Sequence, residues 1–162
     1  MTANGLHTKT VLEHLVFLYG RSIVQVCREL TITPQQFSDW IKMRRPIPEE
    51  RLETLEGYFG IDAVHLADGD RYARRMSALS RVEIELLVME KRMEESRSSE
   101  ERERCACAVD ELKKQKERQV RIARLSAVLD HDDPAISAVI DSVLDLLEQG
   151  DVDELERRLK GE

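Results

Sequence analysis

The stretch TPQQFSDWIKMRRP, from Thr33 to Pro46, concentrates the polar chemistry of this chain. Gln35 and Gln36 stand side by side, Ser38 and Asp39 follow, and Lys42, Arg44 and Arg45 close the run. A glutamine amide donates and accepts hydrogen bonds at once, whereas a lysine or arginine attracts an anion. Together they suit a partner that shows paired donors and acceptors beside negative charge. The interleaved Phe37 and Trp40 share a helical face with Ile41 and read as core rather than as stacking platforms.

Other chemistries find little support. No nucleophile, base and orienting carboxylate fall at a recognisable spacing, and there is no glycine-rich phosphate loop. No catalytic residue and no cofactor are therefore assigned. Cys27, Cys105 and Cys107 make an odd count, and Cys105 and Cys107 have one spacer where a zinc knuckle needs at least two. They read as reduced thiols. His7, His14, His65 and His131 are scattered, so no metal site is expected.

The totals bound the architecture. The 162 residues carry a formal charge of -7, with 35% charged and 4% aromatic residues. Apolar residues recur at helical spacing through most of this length, which predicts an all-α protein. The first residues lack the basic-then-apolar pattern of a signal peptide, and no stretch reaches the length of a membrane span. A soluble, cytoplasmic protein with no membrane partner is the expectation.

The elements that must position the Thr33–Pro46 stretch follow from stop and start signals. Val11, Leu12, Leu15, Val16 and Leu18 trace a first helix that Gly20 ends. Ser22 caps a second, expected to turn Ile23, Val26, Cys27 and Leu30 inward. Thr33, Pro34 and Gln36 form a capping box with proline at the first helical position of the third helix. A fourth helix, from Pro48 to Phe59, lines up Leu52, Leu55 and Phe59, and IDAVHL adds a last short turn. ADGD at 67–70 reads as a domain boundary.

Two short helices joined by a tight turn and flanked by packing helices are a scaffold that can set one helix in a DNA major groove. Residues 8–68 resemble the phage-repressor and Cro type of helix-turn-helix domain, the five-helix lambda-repressor-like (XRE) family. SIVQVCRELTITPQQFSDW carries the match to its second and third helices, and PEERLETLEGYFGIDAVHL to its fourth helix and ending. The resemblance covers a little over a third of the chain. Cys27 stands at the family's small helix-crossing position, Ile32 and Phe37 at buried positions, and Trp40 at the helix-end aromatic. The family's base-reading positions fall on Gln35, Gln36 and Asp39, with Ser38 beside them. Its phosphate contacts fall on Thr33, Lys42, Arg44 and Arg45, to which Arg21 and Arg28 add. Chemistry agrees with this placement. A glutamine amide matches the N6 and N7 edge of adenine, and cations at a helix end meet phosphates.

Thr31 departs from the family by replacing its usual turn glycine, so a left-handed backbone there is expected to be costly. Ile41 and Met43 replace an acidic residue and a glycine after the tryptophan. Residues 1–70 hold 7 Lys and Arg against 10 Asp and Glu, a formal charge of -3 where a DNA binder would be basic. Affinity would have to come from a local patch and from doubling.

Beyond the boundary, residues 71–130 read as a long charged helical segment. Leu79, Val82, Leu86, Met89 and Met93 are spaced as a coiled-coil seam, widened by Ile84, Leu87 and Val88. The apolar-free EESRSSEERER either turns the chain into a hairpin at Ser98 and Glu101 or continues as one rod. In residues 133–160, Asp133 and Pro134 start a helix that Gly150 ends, and a further helix starts at Asp151, with Gly161 just past its end. Ile136, Val139, Ile140, Val143, Leu144 and Leu147 form a broad apolar stripe that must cover another helix, in this chain or in a second copy. The resulting expectation is a DNA-binding transcriptional regulator, a repressor by the resemblance, that reads a dyad-symmetric operator as a dimer or higher oligomer through its tail. The alternative is a protein-interaction adaptor or antitoxin-like protein whose tail binds a partner.

Overall fold

The computed structural model describes residues 8–130 and 133–160. His7, His131 and Gly161 lie outside them. The described residues form nine helices and no strand, and none of these helices is long and apolar enough to cross a membrane. The all-α expectation holds. The chain divides into two compact units, one extending to Gln119 and the other beginning at Val120.

The first unit opens with five short helices: α1 (Val11–Leu18), α2 (Ile23–Glu29), α3 (Pro34–Ile41), α4 (Glu49–Phe59) and α5 (Ala63–Leu66). Their starts are fixed by side chains. Thr10 Oγ1 caps α1, and both α2 and α3 have full capping boxes, Ser22 with Gln25 and Thr33 with Gln36. Val11, Leu12, Leu15, Val26, Phe37, Leu55, Phe59 and Leu66 are buried in one cluster. Ile23 does not join them. It is 39% exposed and Val24 57% exposed, because a seven-residue helix has room for a single inward row, here Val26 and Cys27. Burial pushes the Cys27 thiol above its ordinary pKa, so it stays protonated.

Two helix ends run through the left-handed region without glycine. Thr31 and Met43 both have φ 53°. After α2, Ile32 N–H donates to Cys27 O at 2.9 Å; after α3, Arg44 N–H donates to Asp39 O at 2.8 Å. Both are the wrapped helix ends that normally take glycine. Gly60 takes the same left-handed path at φ 62°, with the Lys91 side chain lying over it.

Residues 67–76 are not a linker. Asp68 folds them into a turn, its Oδ1 accepting from the Asp70 N–H at 3.1 Å and the Tyr72 N–H at 2.9 Å. Isolated β-bridges then pair Ala67 with Ala73 and Thr10 with Arg75. Ala73 is buried in the core. The acidic, glycine-bearing composition of ADGD suits a tight turn as well as a boundary.

From this ribbon the chain enters α6 (Ala78–Glu95), which is buried on two sides. Ile84 and Val88 complete the core of the five short helices. His14, 1% exposed, bridges α1 to α6: one ring nitrogen lies 3.1 Å from Glu85 Oε1 and the other 3.3 Å from Thr8 Oγ1. Lys91 and Arg92 donate to the carbonyls of Phe59 and Leu18 at 3.2 and 2.7 Å. On its other side, Val82 and Leu86 are buried outside that core. There α7 (Ser99–Leu129) runs antiparallel after a turn at Ser96–Ser98. Its Lys113 pairs with Glu90 at 3.7 Å, its Lys116 with Glu83 at 3.5 Å, and its Val109 is buried. Of the two alternatives left by the sequence, the structure takes the hairpin.

In the second unit, the end of α7 is followed by α8 (Pro134–Glu148) and α9 (Val152–Lys160). Asp133 Oδ1 caps α8 through the Ala135 N–H at 2.8 Å, and Asp151 Oδ1 caps α9 through the Glu154 N–H at 3.1 Å. No described residue of α8 or α9 is buried. Val139, Leu144 and Leu147 remain exposed, and Ile136, Ile140 and Val143 are half-buried.

The left-handed turn after α2 gives a test. Thr31→Gly should raise stability by about 0.5–1 kcal/mol, because removing the Cβ strain outweighs the extra entropy of the unfolded glycine. Denaturant midpoints of the two proteins measure it, and a lower midpoint would show that the turn is unstrained.

Candidate nucleic-acid interface

The face of α3 is set by what lies beneath it. Phe37, Trp40 and Ile41 are buried, with the two aromatic rings edge to face at 6.2 Å. At about 100° per residue this turns Gln35, Asp39 and Lys42 outward and leaves Gln36 and Ser38 on the flanks. Gln35, Gln36 and Lys42 are exposed and Ser38 is half-exposed.

The polar groups are already engaged with one another. Thr33 N–H and Oγ1–H both donate to Gln36 Oε1, at 3.1 and 3.0 Å, and the Gln36 N–H returns to Thr33 Oγ1 at 3.2 Å. The Gln36 carbonyl is thereby committed to the cap, and its amide N–H groups face outward. Gln35 shows the reverse, since its Nε2 donates to Asp39 Oδ1 at 3.2 Å and leaves its carbonyl oxygen open. One exposed acceptor and one exposed donor pair stand side by side at the start of α3.

Asp39 departs from the exposed position expected of a base-reading residue. Its side chain is only 12% exposed, and Arg44 Nη1 and Arg45 Nε approach its two oxygens at 3.7 and 3.8 Å. It gathers Gln35, Arg44 and Arg45 around one carboxylate. The arginine pairings are long and mostly solvated, with side chains 62% and 76% exposed, so they hold their partners weakly. Arg21 lies 3.7 Å from Glu29, which also accepts from Tyr58 of α4. The Tyr58 hydroxyl is pushed above its ordinary pKa by burial first, then by this bond and by the Glu29 charge, against an opposing effect of Arg21. Arg28 and Lys42 are exposed and carry no ion pair among the described residues.

The charge of this region depends on where it ends. Extending it to residue 76, as the β-bridges require, brings in Arg71, Arg74 and Arg75. Residues 1–76 then hold ten Lys and Arg against ten Asp and Glu, and the formal charge rises to zero. These three arginines stand in the run RYARR, whose composition matches the charged segment that follows it. Among the described residues, no three His, Cys, Asp or Glu side chains gather as a metal site requires.

No protein-family model, no curated protein and no solved structure matches this chain significantly.

The double use of Gln36 is testable without any ligand. Gln36→Ala removes the acceptor for Thr33 and should cost about 0.5–1 kcal/mol. Gln36→Glu keeps that acceptor and adds negative charge at a helix start, so thermal denaturation should show no loss. Equal losses in both variants would mean that the carbonyl does not cap α3.

Proposed function

We propose that the chain is a sequence-specific regulator that binds double-stranded DNA through α2 and α3, assembled as a dimer or higher oligomer through its last helices. The observation that carries this reading is the outer face of α3. One short helix, sealed below by Phe37, Trp40 and Ile41, offers Gln35, Gln36, Ser38 and Lys42 to solvent, with Arg28, Arg44 and Arg45 at its margins. That combination suits a groove floor of donors and acceptors between walls of phosphate. The resemblance of residues 8–68 to phage repressors and Cro points the same way and favours repression.

In this reading Gln35 and Gln36 meet base edges, with Ser38 beside them. Asp39, being mostly enclosed, holds Gln35 in place and releases Arg44 and Arg45 to the backbone on binding. Lys42, Arg28 and Arg21 serve phosphates, and Thr33 caps the helix whose start approaches the strand. Gln35→Ala should cost on the order of 1–3 kcal/mol at the preferred base pair and relax the preference there. Lys42→Ala and Arg44→Ala should weaken binding to all duplexes alike and lower the salt slope by roughly one unit each. Selection from random duplexes, followed by titration of single-base variants, measures both. Unchanged selectivity on loss of Gln35 would overturn the base-reading assignment.

Oligomerisation is supported by α8 and α9. The seam of α6 is largely used within the chain, since Val82 and Leu86 are buried against the α7 side and Leu79, Met89 and Met93 are half-covered. The stripe of α8 is covered less: Ile136, Ile140 and Val143 are half-buried, Val139, Leu144 and Leu147 are exposed, and no described residue of α8 or α9 is buried. A second copy would also bring two heads to half-sites about 34 Å apart and multiply their affinity. Leu144→Asp should split the oligomer in sedimentation and reduce operator affinity while the first unit stays folded. A monomeric wild type would favour the adaptor or antitoxin-like reading, in which that stripe receives a different protein.

A further inference from the structure

We propose that residues 71–75 form a second phosphate-contacting element, which tracks the nucleic-acid backbone beyond the end of α3. The inference rests on the DNA-binding reading above and extends its contact surface to a segment outside the helices.

The backbone of this segment is stapled on three sides. Ile47 N–H donates to Arg71 O at 2.7 Å, which sets Arg71 beside the loop that carries Arg44 and Arg45. Arg74 N–H donates to Leu66 O at 2.9 Å and Arg74 O accepts from Val11 N–H at 2.9 Å; Met76 N–H then donates to Lys9 O at 2.9 Å. The ribbon therefore runs from the α3–α4 loop to the start of α1, held there by the main-chain groups of Arg71, Arg74 and Met76. Three of its five side chains are arginines.

Those arginines are poorly neutralised. Arg71, held at φ 62°, reaches Glu49 only at 3.9 Å with both side chains more than half exposed. Arg74 and Arg75 make no ion pair or side-chain hydrogen bond among the described residues. Three cations within five residues repel one another; Glu49 offsets Arg71 weakly, and no ion pair among the described residues offsets Arg74 or Arg75. A row of anions does. The ribbon spans at most about 13 Å at 3.3 Å per residue, which matches about four phosphates of one strand along the duplex axis. The backbone pairings bring the loop of Arg44 and Arg45 to one end of the ribbon and Lys9 to the other, so the positive charge is spread along it rather than gathered in a single pocket. Such a line fits a polyphosphate backbone and carries no information about base sequence.

The experiment compares full-length wild type, Arg74→Ala/Arg75→Ala and Arg74→Lys/Arg75→Lys by anisotropy on duplex DNA over a range of salt. Neither side chain makes an ion pair or hydrogen bond among the described residues, and the lysine pair keeps most of the packing of the half-buried Arg74, so its melting curve should superimpose on the wild type. The alanine pair should lower the slope of log affinity against log salt by roughly two units and weaken all duplexes by the same factor, leaving base preference intact. The lysine pair should keep the slope. An unchanged slope in the alanine pair, with wild-type binding present, overturns this inference alone. Absence of wild-type binding to any duplex overturns the DNA reading and this inference together.

Discussion

The rotation of α3 about its own axis is the constraint on which the candidate interface depends. Phe37 is wholly buried, and Trp40 and Ile41 nearly so, a combined apolar surface whose exposure would cost several kcal/mol at about 25 cal/mol per Å². No polar interaction on the outer face approaches that magnitude. The amides and cations point where they do because the core leaves them no other direction. Asp39 shares the outward side with Gln35 one turn before it, so its enclosure comes from Gln35 and from the arginines after the helix end.

Much of this was legible in the chain itself. Capping boxes are local, so Thr33 with Gln36 and Ser22 with Gln25 announce helix starts without knowledge of the fold. The buried rows of α1, α3 and α4 follow from a period of 3.6 over eight or more residues. Ile23 shows where that signal fails, because a helix of seven residues gives one turn of choice at its start and the tertiary context decides. Thr31 and Met43 were recognisable as occupants of glycine positions; that the backbone keeps the left-handed path regardless is a tertiary result. The enclosure of Asp39 was not legible for a related reason, since the approach of Arg44 and Arg45 depends on the course of the turn after α3.

The largest departure lies at residues 67–76 and in α6. Long-range bridges such as Thr10 with Arg75 join residues far apart in sequence, and nothing in the local composition encodes them. In α6 the buried residues fall into two rows, Ser80, Ile84 and Val88 against Val82 and Leu86, on nearly opposite sides of the helix. A heptad-like reading sees a single wide stripe there. The structure divides it, giving one row to the five short helices and one to the α7 side, so that α6 is the partition between two apolar layers rather than the edge of a coiled coil.

His14 adds something that apolar packing cannot supply. Leucines and valines tolerate a slide of one helix along another, because one methyl group is much like the next. An imidazole with a hydroxyl on one nitrogen and a carboxylate on the other does not. Shifting α6 by a single turn, about 5.4 Å, would leave greasy surfaces still in contact but strand a buried ring nitrogen at about 1–3 kcal/mol. The pair works as a vernier mark. With the Arg92 bond to the Leu18 carbonyl and the Met76 bond to the Lys9 carbonyl, it gives α1 and α6 a registration that hydrophobicity alone would not confer.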